Sequence, residues 1–352
     1  MKYTNLILLA VLLTALSACH KDDEETIINE IHLDTTIVYN PSFIIENQEE
    51  VTLDFKPQFL NIGDKVAVCA LSNYVEESDV SSGIETLKSW GLEVIEASNL
   101  YSKDGRYAGS LKERINGFQE IIDNEEIKAI FFARGGYGAA QVLPFLDWEK
   151  FKKSPKWIIG YSDVTALHIT LNNMGFESVL GPMMRGFNND SESNKRLKNM
   201  LFGTAEEISI ATNSNCISGK ASGRLIGGNL SIIYSLSGTA FDLNTKNSIL
   251  FIEDTGEANY SVDRMLLNLK QSGKLEDLKG VIIGEFIGGT QGNDQPLNEI
   301  FSKYFSPLNV PVVYGIPNGH DTKNYPLILG SKVTIEVNEN QSKITFDNNQ
   351  AI

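Results

Sequence analysis

Cysteine and histidine are scarce in this chain, and their spacing excludes several kinds of site. The 352 residues include three cysteines and four histidines, and neither a CxxC nor an HExxH pattern occurs. Apart from Cys19, the cysteines are Cys69 and Cys216, which stand far apart, so neither a disulfide framework nor a cysteine–histidine zinc site is expected. We therefore predict that Cys69 and Cys216 are buried packing residues and that the protein uses no catalytic metal and no cofactor.

Positive charge is also in short supply. The chain has 30 Lys and Arg against 45 Asp and Glu, which gives a formal net charge of -15 at pH 7. Because such a surface repels the phosphate backbone, a nucleic acid is not expected as a partner. Hydrophobic residues make up 42% and charged residues 21% of the chain, which is typical of a globular protein with one large core or two ordinary ones.

The long apolar run that the chain does have lies at its start. In "MKYTNLILLAVLLTALSAC", Lys2 precedes an apolar stretch from Leu6 to Leu16, which is typical of a secretory signal peptide and short for a permanent membrane span. The tetrad that ends at Cys19 resembles the bacterial lipobox, which predicts cleavage before Cys19 and lipidation of its thiol. The alternative is an ordinary signal peptide that ends at a chance cysteine. We expect a lipid anchor in the bacterial cell envelope, at the outer membrane. The acidic segment "HKDDEE" leaves open whether the protein is exposed on the cell surface.

Apolar runs alternate with helix-period segments over most of the remaining chain. The runs "KVAVCAL", "LEVIEA", "IKAIFFA" and "WIIGY" are each followed by a helical pattern, which predicts an α/β unit with a mostly parallel sheet covered on both faces. A second unit, with "SILFIED", "GVIIGEF", "PVVYGI" and "SKVTIEV", predicts a β-rich mixed domain. The predicted divisions are a signal peptide (1–18), a lipidated tether and lead-in (19–58), a nucleophile domain (59–185), a connector (186–217) and a β-rich domain (218–345).

A serine stands where one of the predicted strands gives way to a helix. In "KWIIGYSDVTALHIT", Ser162 follows the apolar run and directly precedes Asp163. Ligands of such sheets bind beyond the carboxyl ends of the strands, and the glycine cluster "RGGYG" also falls at a strand end. Ser162 is either a helix cap or a nucleophile. Both interpretations stay open, because the surrounding sequence lacks the second glycine of the G-x-S-x-G elbow that would indicate a nucleophile.

A nucleophilic serine needs a base and an orienting acid. His20 and His32 lie in the tether, and His168 lies six residues after Ser162 on the same predicted helix, about 9 Å up the axis and about 240° around it. We therefore expect His168 to be a helix-face residue. His320 is left, in "IPNGHDTKNY", where Pro, Asn and Gly force a turn before it. The acid is either Glu253 or Asp254, since sequence spacing alone leaves both open.

Five ordered motifs resemble the LD-carboxypeptidase family of serine peptidases. They are "ARGGYGAAQVLPFLDW", "IIGYSDVTAL", "GRLIGGNLSIIYSLSGT", "ILFIEDTGEANYSVDRML" and "GIPNGHDTKNYPLILG", and the resemblance covers about residues 60–340. It implies a Rossmann-like amino-terminal domain and a β-rich carboxyl-terminal domain. Its implied catalytic residues are Ser162, Glu253 and His320.

The resemblance also implies further site residues. The oxyanion hole would be formed by the backbone N–H groups of Asp163 and Gly136, and the substrate-binding candidates are Arg134 and Asn229. The implied activity is a carboxypeptidase that removes a terminal D-amino acid from an L-centre in a peptidoglycan tetrapeptide.

Two alternative functions stay open at this point. One is a self-immunity peptidase that hydrolyses a peptide-nucleotide antibiotic, and the other is a lipid-anchored protein that binds muropeptides without turnover. The expected partners are a peptidoglycan peptide and, through acylated Cys19, a lipid membrane. The sequence leaves open whether the protein forms a homodimer.

Overall fold

The computed structural model describes residues 50–51, 55–288 and 294–347. The predicted signal peptide, the lipidation site Cys19 and most of the predicted lead-in lie outside these ranges, so those predictions stay predictions. All described residues belong to one compact unit. Within these ranges, no helix combines the length and the apolar character that a membrane crossing requires.

Thirteen strands and nine α-helices run through the described residues. The strands are β1 (Lys65–Cys69), β2 (Glu93–Glu96), β3 (Ile127–Phe132), β4 (Trp157–Gly160), β5 (Ser178–Leu180), β6 (Ile208–Ala211), β7 (Gly219–Asn229), β8 (Ser248–Thr255), β9 (Gly280–Ile287), β10 (Val312–Tyr314), β11 (Leu327–Leu329), β12 (Lys332–Val337) and β13 (Gln341–Phe346). The helices are α1 (Glu77–Ser89), α2 (Leu111–Asp123), α3 (Ala139–Val142), α4 (Glu149–Lys153), α5 (Thr165–Asn173), α6 (Ser191–Leu201), α7 (Leu230–Leu236), α8 (Asn259–Gln271) and α9 (Leu297–Phe305).

The first sheet has six strands in the order β11-β5-β4-β3-β1-β2. Its strands pair in parallel except at one edge, where β11 runs antiparallel to β5. Strands β1, β3 and β4 are buried along almost their whole length, as expected for a parallel sheet that helices cover on both faces. The apolar β-branched and aromatic residues of these runs explain both the strand conformation and the burial. The predicted parallel-sheet domain is confirmed.

The second sheet has seven strands in the order β10-β9-β8-β7-β12-β13-β6. Strands β7 to β10 pair in parallel, whereas β12, β13 and β6 join by antiparallel pairing. Strands β12 and β13 bury alternate residues, which leaves one of their faces toward solvent. The sheet is therefore mixed, and the predicted α/β fold class with a β-rich second domain is confirmed.

Two strands lie across the predicted domain divisions. Strand β6 falls in the predicted connector, yet it pairs with β13 at the edge of the second sheet. Strand β11 falls in the predicted β-rich domain, yet it pairs with β5 in the first sheet. The chain therefore returns to the first sheet shortly after β10, and the residues between β10 and β11 pass between the two sheets.

The two cysteines of the described region differ in burial. Cys69 lies in β1 and is completely buried, as predicted. Cys216 is partly exposed beside β10, so the prediction that it is a buried packing residue is wrong. Cys216 lies in the short segment between β6 and β7. This segment covers the edge strand β10 only in part.

Candidate active site

Ser162 lies on a sharp turn at the carboxyl end of β4. Its φ is 61°, in the left-handed region that side chains other than asparagine seldom occupy, and the other described non-glycine residues with positive φ are Asn247 and Asn309. A single 3₁₀ turn, Ser162–Val164, then leads into α5. No side-chain capping bond forms at the start of that turn or of α5. The strained backbone and the uncommitted hydroxyl favour a functional role for Ser162 over that of a helix cap.

The glycine turn Arg134–Gly138 lies directly against this serine. A Cβ atom on Gly135 would stand 2.9 Å from both Cβ and Oγ of Ser162, so a larger residue there would collide with the hydroxyl. Gly136 has a φ of 126°, and a Cβ on it would stand 2.4 Å from the side chain of Asn73. Glycine is therefore required at both positions, one for the close approach to Ser162 and one for the backbone conformation.

Asp163 joins the serine turn to the glycine turn. Its carboxylate is 1% exposed and accepts hydrogen bonds from the hydroxyl of Ser72 and, at 2.8 Å, from the backbone N–H of Ala139. Burial raises the pKa of Asp163, and these hydrogen bonds oppose the rise. Sequence reasoning assigned a role to its backbone only and missed the side chain, because its partners Ser72 and Ala139 lie in distant segments of the chain.

A buried arginine holds the same region from the other side. Arg114 of α2 is 2% exposed, and its Nη1 donates to the carbonyl oxygens of Leu71 at 3.0 Å and Gly138 at 3.1 Å. These bonds fix the end of β1 relative to the glycine turn. The loops around Ser162 are thus anchored by buried charged groups rather than left free, as a preformed site requires.

His320 and Glu253 form a close pair at the ends of two other segments. Nδ1 of His320 lies 2.7 Å from Oε2 of Glu253, whose side chain is completely buried near the end of β8. Burial alone lowers the pKa of His320, but the hydrogen bond and the negative charge of Glu253 outweigh it and raise that pKa above its ordinary value. This pairing leaves Nε2 as the ring nitrogen available for proton transfer.

The pair lies next to the serine turn. The ring of Tyr161, the residue before Ser162, meets the ring of His320 edge-on with centroids 5.0 Å apart. Among the described hydrogen bonds none joins Ser162 to His320, and catalytic bonds of this kind often tighten only when substrate binds. The structure thus brings together the neighbourhoods of Ser162, Glu253 and His320, which are far apart in sequence.

Asp254 has a different environment from Glu253. It accepts hydrogen bonds from Nδ2 of Asn229 at 3.0 Å and from the backbone N–H of Ser231 at 2.8 Å. Burial raises the pKa of Asp254 to about 6, and hydrogen bonds from the hydroxyl of Ser231, the backbone N–H of Thr255 and the amide of Asn229 oppose the rise. The pairing of β8 with β9 shifts register between Ile252 and Asp254, and such a bulge re-aims side chains locally. Geometry therefore assigns Glu253, not Asp254, to His320.

The two predicted substrate-binding residues, Asn229 and Arg134, differ in how far the fold already uses their side-chain hydrogen-bonding groups. Asn229 is 5% exposed and caps α7, with its oxygen accepting from the N–H of Ile232 at 3.2 Å and its nitrogen donating to Asp254. Both ends of its amide are therefore committed to the fold, which argues against direct contact with substrate. Arg134 is only partly buried at the start of the glycine turn, and its guanidinium makes one long hydrogen bond, 3.4 Å, to the carbonyl of Tyr74.

A close contact joins the end of β7, in the second sheet, to the start of α5, which follows β4 of the first sheet. The N–H of Asn229 donates to Oγ1 of Thr165 in α5 at 3.0 Å, and a Cβ on Gly228 would stand 2.5 Å from the same oxygen. Since α5 starts just after Ser162 and Asn229 ends β7 beside β8, this contact sets the distance between the Ser162 turn and Glu253.

A second carboxylate positions the His320 loop. Oε2 of Glu285, in β9, accepts from the backbone N–H of Asp321 at 3.2 Å, and the N–H of Glu285 donates to the carbonyl of Asn318 at 2.9 Å. Burial raises the pKa of Glu285, and the neighbouring acids Asp321 and Glu253 add to the rise. Sequence reasoning missed Glu285, although its place near a strand end in "GVIIGEF" was the same signal that pointed to Glu253.

His168 lies on a face of α5, as expected, and that face packs into the core. It is completely buried, and its ring nitrogens lie 2.9 Å from Oγ of Ser178 and 2.9 Å from the carbonyl of Gly160. Burial lowers the pKa of His168 to about 4. In the part of the chain that the structure describes, no group of three or more His, Cys, Asp and Glu side chains is arranged to hold a metal ion.

Comparisons with known proteins agree with the two-sheet architecture. Residues 66–181 match the model of the LD-carboxypeptidase N-terminal domain, and residues 222–335 match that of the LD-carboxypeptidase C-terminal domain. The chain is 32% identical over 305 residues to the probable murein peptide carboxypeptidase of Bacillus subtilis, covering 83% of this chain and 95% of that protein. It is 26% identical to the microcin C7 self-immunity protein of Escherichia coli, covering 75% of this chain and 87% of that protein.

A solved structure shows the same fold. The crystal structure of muramoyltetrapeptide carboxypeptidase from Oxalobacter formigenes superposes with a TM-score of 0.73 at 30% sequence identity, covering 80% of this chain and 98% of that one. The similarity therefore extends over both sheets.

Proposed function

Since the chain belongs to the LD-carboxypeptidase family of serine peptidases, we propose that it removes a terminal D-amino acid from an L-centre in a peptidoglycan-derived tetrapeptide. The observation that carries this proposal is the completely buried Glu253 at 2.7 Å from His320, beside the strained turn of Ser162. A carboxylate, an imidazole and a serine in this order of contact are the parts of a serine acyl-transfer site.

In the proposed reaction, Ser162 attacks the scissile carbonyl carbon and passes its proton to Nε2 of His320. Glu253 accepts the Nδ1–H bond, which selects this tautomer and stabilises the imidazolium that forms. The protonated His320 then donates to the leaving nitrogen, which departs as the amine of the D-amino acid. A water molecule, deprotonated by His320, hydrolyses the ester on Ser162 and restores the free enzyme.

The negative oxygen of the tetrahedral intermediate needs hydrogen-bond donors. We propose the backbone N–H groups of Asp163 and Gly136 for this role. The first N–H groups of a helical turn have no acceptor within the turn, and the contact between Gly135 and Ser162 brings the glycine turn close to the reacting carbon. The buried carboxylate of Asp163 would hold these two loops in register.

Incubation of the purified protein with defined muropeptides tests the proposed activity. We expect a tetrapeptide to yield the tripeptide and the free D-amino acid, because the acyl-enzyme forms on the L-residue before it. Mass spectrometry of the products checks this, and the same peptide with an L-residue at its end should stay intact. A chelator should leave the rate unchanged, since no proposed step uses a metal.

The Ser162→Ala protein is the matched control for that assay. If it releases the D-amino acid as fast as the wild type, the proposed mechanism is wrong. If only an aminoacyl-nucleotide substrate is hydrolysed, the second candidate, an antibiotic-inactivating peptidase, replaces the first; similarity to the microcin C7 self-immunity protein is the observation that favours it.

We also propose that the protein is anchored to a membrane by lipid on Cys19, and that residues 59–185 and 218–345 form the two domains of the site, except that β11 joins the sheet of the first domain and β6 that of the second. The two matched ranges, 66–181 and 222–335, support the second point. The first point rests on the lipobox-like tetrad in the sequence.

Replacing Cys19 with serine should release the protein from membranes. The acyl chains on the thiol would be the anchor that remains after cleavage of the signal peptide, because a pair of chains gives stable membrane binding. Fractionation of cells that express each form, followed by immunoblotting, checks the result. Wild-type protein found mainly in the soluble fraction would contradict the anchor, and activity in detergent extracts should be equal for both forms.

A further inference from the structure

We propose that Arg134 binds the free α-carboxylate of the terminal D-amino acid, with Arg106 and Arg185 adding positive charge around it. The inference rests on the proposed function. It explains why the enzyme would remove a single residue from the free carboxyl end of a peptide. We call these three residues the arginine cluster. The cluster lies on the wall of the site that the first sheet forms.

Arg134 is placed by the same turn that contacts the nucleophile. It immediately precedes Gly135, which approaches Ser162 so closely that a Cβ atom on it would stand 2.9 Å from Oγ. In a peptide, the terminal carboxylate lies one residue beyond the scissile carbonyl, about 3.5 Å away. Because an arginine side chain is longer than that, Arg134 can reach the carboxylate while the serine attacks the carbonyl.

The guanidinium of Arg134 is poorly satisfied by the protein. Among the described residues it makes one hydrogen bond, to the carbonyl of Tyr74 at 3.4 Å, although a guanidinium has five N–H donors. Burial lowers the pKa of Arg134, the positive charges of Arg185 and Arg106 lower it further, and Asp79 opposes them. Within the described residues no carboxylate reaches ion-pair distance of Arg134, whereas Asp79 lies 3.4 Å from Arg185. A partly buried cation of this kind favours an anionic ligand.

The other cluster members are held near Arg134. The N–H of Arg185 donates to the carbonyl of Ala133 at 2.8 Å, directly before Arg134 in the chain. Nε of Arg106 donates to Oδ1 of Asn73 at 3.3 Å, and Asn73 lies against Gly136. Arg106 and Arg185 are exposed, so they contribute mainly a positive potential that attracts an anion to Arg134.

The wall that the second sheet and the His320 loop form carries negative charge. His320 is flanked there by Glu285 and Asp321, and the backbone N–H of Asp321 donates to the carboxylate of Glu285. A carboxylate would be repelled from that wall and attracted to the arginine cluster. The charge distribution therefore fixes the direction in which a peptide with a free carboxyl end enters, and a planar guanidinium suits a carboxylate because it can bind both oxygens.

The test compares one tetrapeptide in two forms, with a free carboxylate and with a carboxamide at its end. For the wild type, kcat/KM should be about 10- to 100-fold higher for the acid, since a charged hydrogen-bonded pair contributes about that factor. In Arg134→Gln the ratio of acid to amide should fall toward one, mainly through a higher KM for the acid. Arg134→Lys keeps the charge but not the bidentate geometry, so its ratio should lie between the two.

Lys220→Gln is the matched control, because it removes one positive charge at the far end of β7, away from the strand ends that carry the site. Its acid-to-amide ratio should equal that of the wild type. A wild type that cleaves both forms equally, or an Arg134→Gln protein that loses both equally, would overturn the inference and leave the proposed function standing. A wild type that cleaves neither form would instead remove the proposed function.

Discussion

Replacement of Ser162 with alanine should lower kcat by about 10⁶-fold, while the substrate still binds. The substitution removes the attacking oxygen, but the glycine turn, the buried Asp163 and the start of the helix remain in place. His320→Ala should cost about as much, because the serine is a poor nucleophile without its base. Single-turnover kinetics with a defined muropeptide, together with calorimetric binding to the Ser162→Ala protein, check both expectations.

The double variant tests whether the two residues act as one unit. Ser162→Ala combined with His320→Ala should be no slower than either single variant, since losses within a catalytic unit do not add. If the two effects multiply instead, Ser162 and His320 act in separate steps and the proposed triad is wrong. Equal melting temperatures of the variants would exclude loss of folding as the cause.

Replacement of Glu253 with glutamine should lower kcat by about 10⁴-fold. A glutamine keeps the size of the side chain but removes the negative charge that selects the His320 tautomer and stabilises its protonated form. Steady-state kinetics measure the change in rate. Asp254→Asn is the control, because Asp254 bonds to Asn229 and Ser231 rather than to His320, and its effect should be much smaller. If Asp254→Asn abolishes turnover while Glu253→Gln does not, the assignment of the acid is wrong.

The pH dependence of activity in the Glu253→Gln variant gives a second test of the role of Glu253. His320 acts as a base only when it is neutral, and Glu253 raises its pKa, so wild-type kcat/KM should fall as the pH drops through a value above the ordinary histidine pKa of about 6.5. In Glu253→Gln that raising influence is gone and burial, which lowers the pKa, remains. The acid limb of the residual activity should therefore move to lower pH. An acid limb that stays in place would show that Glu253 does not set the protonation of His320.

Several features of the site could be read from the sequence because they depend on local pattern. Apolar runs followed by helical periodicity predicted a parallel sheet, and the position of Ser162 at the junction of a run and a helix predicted a residue at a strand end. Elimination among four histidines pointed to His320, since the others lay in the tether or on the same helix as the serine. A strong resemblance to one family then named the acid, which spacing had left open between Glu253 and Asp254.

Other features depend on contacts between distant segments, so local sequence pattern could not decide them. The shift of register between β8 and β9 and the position of the His320 loop put Glu253, rather than its neighbour, against the imidazole. The hydrogen bond from Asn229 to Asp254, on the neighbouring strand, leaves this helix-capping residue with no free amide atom. A local pattern specifies which residues favour a strand or a turn, but the direction of a side chain at a strand end depends on the partner strand and on the loop that closes over it. That is why the sequence by itself determined the fold class and the place of Ser162 and, through the family resemblance, named Glu253, whereas only the packed structure decided that Glu285 holds the His320 loop and that Asp254 and Asn229 serve the fold.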